Sequence, residues 1–126
     1  MAMGATKGIS KDVKASAAVV QYTIAAPGAD DDTFSTASAA TNPLVGVFQA
    51  ALSSTDQAAG KYVEVMVTGI SYLALGAGGC ARGNKLTSDA NGNGVVATSG
   101  NQAIGIALKS GAQGDVIPVL LAPATA

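Results

Sequence analysis

Apolar and polar side chains alternate most clearly between Tyr62 and Val67, where every second residue is a valine. Successive side chains of an extended strand point to opposite faces, so Val63, Val65 and Val67 share one face. This alternation is typical of a half-buried strand. We therefore predict a strand near the centre of the fold that buries these three valines.

Weaker patterns of the same kind predict further strands. Val20, Tyr22 and Ile24 alternate with polar residues, and Pro27 ends the run. Short apolar runs between turn residues predict other strands at 44–50, 70–75, 95–98, 104–109 and 116–122. Pro118 has no amide donor, so the last strand is predicted to lie at a sheet edge or to carry a bulge. About six to eight short strands predict an all-β fold, a small barrel or sandwich.

A short motif occurs twice in the chain. Gly46 leads through a polar loop to Gly60 and an aliphatic strand, and Gly105 leads through a shorter loop to Gly114 and a second aliphatic strand. The separations are 60 − 46 = 14 and 114 − 105 = 9 residues. A surface loop tolerates such a difference in length with little change in free energy. Two hairpin-like units are predicted in related positions of one sheet-built domain.

The remaining segments predict the domain organisation. Residues 1–16 carry Lys7, Lys11 and Lys14 among small residues, without alternation, and are predicted to form a flexible N-terminal arm. Residues 17–126 are predicted to form a single β domain with a long loop at about residues 25–43. The arm lysines are either solubilising charges or a docking element for an acidic neighbouring surface.

Composition limits the partners. The chain is 48% hydrophobic, 12% charged and 4% aromatic. Small side chains bury little apolar area each, so the core is predicted to be small, and few charges are available for the surface. Other subunits are therefore predicted to cover part of that surface. The net charge of −1 argues against binding to nucleic acid. No apolar run approaches the roughly 18 residues of a membrane span, so no membrane partner is expected.

Two segments come close to known ligand-binding loops. The segment from Gly78 to Lys85 lacks the final Gly-Lys-Ser/Thr of a phosphate-binding loop. The segment from Asp89 to Gly94 matches the start of a calcium loop, but Gly100 stands where the bidentate glutamate is required. We therefore predict no cofactor and no metal site, and interpret Asn91 to Gly94 as hairpin turns.

The other candidate residues do not combine into a catalytic site. The chain has no His, which excludes a histidine-activated nucleophile and the common zinc sites. Cys80 is the one cysteine and is interpreted as a small half-buried filler. The run from Asp30 to Asp32 is interpreted as a solvated acidic patch. The chain is not expected to be an enzyme.

An ordered set of short glycine- and valine-rich pieces covers about two-thirds of the chain, from Leu44 to Ala122. Its pieces are Gly46-Val47-Phe48, Gly60-Lys61-Tyr62-Val63-Glu64-Val65, Gly69-Ile70, Gly83-Asn84-Lys85-Leu86-Thr87, the Gly92/Gly94 turn, Ala103-Ile104-Gly105-Ile106-Ala107-Leu108 and Gly114-Asp115-Val116-Ile117-Pro118-Val119-Leu120. The set resembles the small β-rich capsid decoration (cement) proteins of tailed bacteriophages, a family sometimes mislabelled as phage recombinases. The segment from Ala25 to Pro43 is longer and richer in Ala, Ser and Thr than that pattern.

The resemblance implies a structural protein that binds the major capsid protein on the outside of an assembled phage head and stabilises the shell. It also implies a homotrimer on the capsid, made in the bacterial host cytoplasm and located on the virion exterior. Lys7, Lys11 and Lys14 are then the candidate capsid contacts. Another virion surface module, such as a head-fibre base or host-adhesion domain, is the alternative, and a nucleic-acid-binding or recombinase-associated protein is a third.

Overall fold

The computed structural model describes residues 7–126, which form nine strands and one short helix. In chain order these elements are β1 (Lys7–Ala15), β2 (Ile24–Pro27), β3 (Thr33–Thr36), β4 (Gly46–Phe48), α1 (Ser54–Ala58), β5 (Tyr62–Ala74), β6 (Lys85–Ser88), β7 (Gly94–Val96), β8 (Gln102–Ala107) and β9 (Val116–Thr125). The all-β prediction is confirmed, with more strands than expected. Within residues 7–126, no helix has the length and apolar character to cross a membrane.

Pairing between β1 and β5 closes five of the strands into a ring. The hydrogen-bonded order is β1-β3-β2-β4-β5-β9-β8-β6-β7, and β1 also pairs with β5. The ring β1-β3-β2-β4-β5 is a small barrel, and the remaining four strands extend from β5 as a second half. β5 therefore belongs to both halves.

Neighbouring residues on the ring strands point into two different cores. Val47 and Phe48 of β4 are both fully buried, although successive strand residues face opposite ways. The first core fills the ring and contains Val13, Ala15, Val19, Ala25, Phe48, Leu52, Val63 and Val65. The second core lies between the outer face of the ring and the second half, and contains Ile24, Ala26, Ala37, Leu44, Val47, Met66, Leu73, Leu75, Leu86, Ile104, Ala107, Ile117, Val119 and Leu121.

The odd-numbered side chains of β5 pack into the first core at its start and into the second core further along. Val65 faces the first core, whereas Leu73 faces the second. Between them the register with β1 shifts and leaves Val67 unpaired, and Gly69 has a φ of 98°. Only glycine adopts this conformation without strain. The central valine strand is confirmed with Val63 and Val65 buried, although Val67 is only half-buried. The prediction of two strands separated at Gly69 is wrong because the strand is continuous.

The two predicted hairpin-like units are present and share one register. β4 pairs with β5 so that Val47 lies opposite Met66, and β8 pairs with β9 so that Ile106 lies opposite Leu120. The longer loop of the first unit contains α1, whose length of 5 residues equals the difference between the loops, 14 − 9 = 5. The sequence repeat is therefore a structural repeat with a helical insertion.

The prediction of a flexible arm is wrong for residues 7–15. These residues form β1, which pairs antiparallel with β5 from Lys7 opposite Ile70 to Lys14 opposite Tyr62. Among residues 8–15 of this strand only Val13 and Ala15 are buried, so backbone pairing rather than apolar burial holds most of it in place. Residues 1–6 of the predicted arm lie outside the described residues.

Two further predictions near the N-terminus are corrected. Tyr22 has a φ of 62° and lies in a turn, so β2 begins at Ile24 rather than at Val20, although it ends at Pro27 as predicted. The predicted long loop at residues 25–43 contains most of β2 and all of β3, whose residues Thr33–Thr36 are each half-buried. A short polar strand of this kind has no alternation that a sequence would reveal.

Pro118 lies inside the sheet and not at its edge. β9 is flanked by β5 and β8. The carbonyl oxygen of Pro118 accepts a hydrogen bond from the Leu108 amide at 3.0 Å, so the proline nitrogen also points towards β8. β8 ends at Ala107, and the missing donor therefore falls where that strand has stopped. The register shift between β8 and β9 lies elsewhere, between Ala103 and Gly105.

Candidate functional site

A groove opens where the five-strand ring is incompletely closed. β1 pairs with β3 only at Lys14 opposite Thr33 and Ala15 opposite Phe34. On the N-terminal side of Lys14, the β2–β3 hairpin and β1 separate. The space between them has a volume of about 760 Å³ and is lined by residues 11–14 and 27–34 with Val45 and Tyr62. We call this space the charged groove.

The wall formed by β1 carries two of the three predicted contact lysines. Lys14 lies opposite Tyr62, with its Nζ 5.8 Å from the ring centroid, which is within cation–π range. Lys11 lies opposite Val65 and on the other face of β1 from Lys14. Lys7 begins β1, where its backbone pairs with Ile70.

The opposite wall is the β2–β3 hairpin, which presents the three consecutive aspartates. Its shape is held by hydrogen bonds from the Gly28 amide to the Thr33 carbonyl (2.8 Å) and from the Thr33 hydroxyl to the Asp30 carbonyl (2.7 Å). Ser16, just after β1, ties the hairpin to that strand: its Oγ donates to Thr33 Oγ1 (3.0 Å) and accepts from the Ala29 amide (3.1 Å). The hairpin is therefore a fixed wall, with Asp30, Asp31 and Asp32 exposed on it.

The charges of the groove are not neutralised by each other. Among the side chains of residues 8–126, the one ion pair closer than 4 Å joins Lys61 to Asp56 at 3.2 Å, away from the groove. The lining has two ammonium groups, Lys11 and Lys14, and four carboxylates, so its formal charge is 2 − 4 = −2. The fourth carboxylate belongs to Asp12, which lies directly opposite Glu64 across the β1–β5 pair.

The floor of the groove is apolar. Val13 belongs to the first core, and the half-buried side chains of Phe34 and Val45 pack against that core. An apolar floor between charged walls suits binding of a chain segment or another protein surface. Among residues 7–126 no three His, Cys, Asp or Glu side chains are placed to hold a metal ion.

The two near-matches to ligand loops are used structurally. In the β6–β7 hairpin, Asp89 Oδ1 accepts hydrogen bonds from the amides of Asn91 (2.8 Å) and Asn93 (3.0 Å), and Gly92 has a φ of 79°. The hairpin-turn interpretation is confirmed. After the glycine-rich segment the chain enters strand β6 at Lys85 and not a helix.

Cys80 is half-buried and packs against the second core, as interpreted from the sequence. Burial raises the pKa of its thiol, and a hydrogen bond with the Gly111 backbone lowers that pKa by less. The thiol is therefore a poor nucleophile at neutral pH.

A row of apolar side chains crosses the outer face of the second half. Ile70, Leu120 and Ile106 lie side by side on β5, β9 and β8, and Lys85 of β6 continues the row. Leu120 and Val116, which lies four residues before it on β9, are 40% and 47% exposed. This surface, which we call the apolar row, was not identified from the sequence. Its signal is the alternation along β9, in which the outward residues are apolar as well as the inward ones.

The groove itself was also not predicted from the sequence. The lysines and the aspartates were both noted, but as separate features, because 16 or more residues separate Lys14 from the aspartates. Their meeting across one groove depends on the parallel β1–β3 pairing, which no local sequence pattern indicates. Asp12 and Tyr62 join the site through the β1–β5 register alone.

Comparison with solved structures finds a protein of the same fold. The chain is similar to the head fiber gp8.5 N base of bacteriophage phi29, with a TM-score of 0.70 and 18% sequence identity. The likeness covers 94% of this chain and 97% of the phage protein's chain. No protein-family model and no curated protein matches the sequence.

Proposed function

We propose that this chain is a structural protein of a bacteriophage virion that attaches to the outer surface of the head and has no catalytic role. The observation that carries the proposal is the likeness to the phi29 head-fibre base, which extends over nearly the whole of both chains. A base module needs a rigid fold and binding surfaces. The two-core fold, the charged groove and the apolar row supply these.

The role as a head-fibre base and the role as a cement protein are both compatible with this proposal. The likeness in fold favours the base of a head fibre. The ordered set of motifs from Gly46 to Leu120 favours a decoration protein that binds the major capsid protein and stabilises the assembled shell. Both roles place the protein on the capsid exterior after synthesis in the host cytoplasm.

The apolar row supports self-association as part of this role. Leu120 and Val116 expose apolar surface that a monomer leaves in water, and a homotrimer on the capsid covers such a surface. Lys7, Lys11 and Lys14 are proposed as capsid contacts. Lys11 and Lys14 are exposed on β1 and have no ion-pair partner among the described residues.

Sedimentation with capsids tests the proposal. The purified protein is mixed with expanded capsids of the phage that encodes it, prepared without this protein, and the pelleted fraction is measured. Saturable binding to expanded shells is expected, with little binding to free capsid subunits. Absence of binding to any capsid form contradicts a head-surface role. The size of the rise in the temperature at which the shells open then separates the roles, because a cement protein that bridges many neighbouring subunits raises it strongly and a fibre base bound at few positions raises it little.

A further inference from the structure

The edge of β1 that faces the charged groove has unpaired backbone groups. The Ser16 amide donates to the Phe34 carbonyl at 2.9 Å, so even-numbered residues at the end of β1 direct their backbone groups towards β3. The Gln49 amide donates to the Glu64 carbonyl at 2.8 Å, so Glu64 directs its groups towards β4 and away from Asp12. Both observations orient the amide and carbonyl of Asp12 into the groove, where no described residue pairs with them.

The groove has the other features that a strand-binding site requires. A strand added to β1 places alternate side chains over the apolar floor formed by Val13, Phe34 and Val45. The hydrogen bonds of Ser16 and Thr33 hold the opposite wall before any ligand arrives. A volume of about 760 Å³ lies in the range of ligand sites, roughly 300–1,000 Å³.

The charge of the groove selects the ligand. Four carboxylates against two ammonium groups leave a formal charge of −2 on the lining. Glu64 lies opposite Asp12 on β5 and is a further carboxylate next to that residue, outside the lining. A basic segment is attracted to this wall, and an acidic one is repelled.

We propose that the charged groove is a binding site for an extended, basic segment of another protein, which adds to the free edge of β1 as a strand. The proposal does not depend on the capsid role, because any partner with such a segment satisfies it. A second copy is a poorer occupant. The bulge at Ile9 and Ser10 twists the β1 edge away from a flat partner, and two copies of this groove carry the same net negative charge.

Titration of the isotope-labelled full-length protein with two synthetic peptides tests the proposal by amide chemical shifts. The basic probe is the capped heptapeptide Thr-Lys-Val-Arg-Val-Lys-Thr, and its control is Thr-Glu-Val-Asp-Val-Glu-Thr. We expect saturable shifts at Asp12 and at residues 28–33 with the basic peptide only, about tenfold tighter than any binding of the acidic one. Exchange of the Asp12 amide with solvent is expected to slow when the basic peptide is bound.

Two variants at one position separate the backbone from the side chain. Asp12→Pro removes the amide that faces the groove and keeps the hydrogen bonds to β5, since proline is accepted where the N–H points away from the partner strand. It is expected to weaken binding of the basic peptide by about fivefold to tenfold, the worth of one hydrogen bond. Asp12→Ala keeps the amide and removes one exposed carboxylate. Once the effect of that lost charge is subtracted, its affinity for the basic peptide is expected to be within about twofold of the parent protein's.

Three results overturn the proposal. The first is a set of shifts from the basic peptide that omits Asp12 and residues 28–33, and the second is equal binding of the acidic peptide. The third is a change at the same amides with protein concentration alone, which makes a second copy the occupant. If Asp12→Pro does not fold, the exchange rate of the Asp12 amide in the parent protein decides the matter: an unchanged rate with saturating peptide rejects strand addition.

Discussion

Met66 and Leu120 occupy equivalent places in two hairpins, each 6 residues after the glycine that leads into its strand (66 − 60 and 120 − 114). The backbone of the facing strand passes close to both residues at a glycine. A Cβ added at Gly46 meets the carbonyl oxygen of Met66, and one added at Gly105 meets that of Leu120. The repeat therefore preserves a close approach between backbones as well as a register.

This close approach makes Gly105→Ala destabilising. The added methyl group overpacks the β8–β9 contact, and we expect the free energy of unfolding to fall by about 1–3 kcal/mol. Gly60→Ala is the comparison: Gly60 has a φ of 78° but nothing within 4 Å of an added Cβ. It is expected to cost only about 1 kcal/mol of backbone strain. Urea unfolding of both variants checks the order, and a smaller effect at Gly105 contradicts the close approach.

The helical insertion is expected to be dispensable. Deleting residues 54–58 gives the first loop the length of the second, 14 − 5 = 9. The variant loses the hydrogen bond from Gln57 Nε2 to the Ala15 carbonyl (3.2 Å) and an exposed ion pair. We expect stability to change by no more than about 1–2 kcal/mol. Cross-strand nuclear Overhauser contacts between Val47 and Met66 should persist, and their loss shows that α1 sets the register.

Val65→Asp places an unpaired carboxylate in the first core. Val65 is 1% exposed, and a charge there has no partner, so we expect a loss of several kcal/mol of stability. Thr68→Asp is the matched control, because it makes the same side chain at an exposed position of the same strand. The melting temperatures of the two variants are compared by thermal unfolding. Equal values contradict the assignment of Val65 to the core.

Deleting residues 2–14 is expected to destabilise the isolated domain. The deletion removes the strand that pairs with β5 from Ile70 to Tyr62 and uncovers the inner side of Val63. A flexible tail gives the opposite result, an unchanged melting temperature. Circular dichroism melts of the truncated and full-length proteins distinguish the two.

The thiol of Cys80 links stability to pH on the alkaline side. Burial raises its pKa, so the folded state holds the proton more tightly than the unfolded state. The stabilisation is complete below the unfolded pKa of about 8.5 and is lost as the pH rises through the folded value. Unfolding free energies of the parent and of Cys80→Ala, measured from pH 7 to 10, should converge at the alkaline end. Parallel curves mean that the thiol titrates equally in both states.

Sequence patterns predicted the aliphatic strands and missed β1 and β3, which are held mainly by backbone pairing, and also β6, a short strand with three of its four residues buried. Val63 and Val65 of β5 were predictable because they alternate with exposed residues, and the two glycine-led hairpins were predictable because their motif recurs in the sequence. Among residues 8–15 of β1 only Val13 and Ala15 are buried, and the four residues of β3 are all half-buried. Neither strand has a clear alternation of apolar and polar residues in the sequence. Both are held mainly by backbone hydrogen bonds to their partner strands.

The candidate site was predictable only as separate parts. Lys11, Lys14 and the aspartates were recognisable as charged groups, and the Asp30 run was correctly expected to be exposed. Their meeting depends on Lys14 lying opposite Thr33 in a parallel pair. Parallel pairing between distant segments produces no periodic pattern in the sequence. It closes a long loop, and whether that loop closes depends on the packing of the whole fold.

The passage of β5 from one core to the other has a consequence for how the molecule unfolds. Opening either half exposes one face of the strand on which the other half is packed. Partial unfolding therefore forfeits contacts on both sides, and the chain should unfold as one cooperative unit, with the amides in the middle of β5 exchanging only through global opening. Such a protein can change the sequence of its loops and edge strands and still unfold cooperatively, because Gly69 and its neighbours in β5 join the two halves.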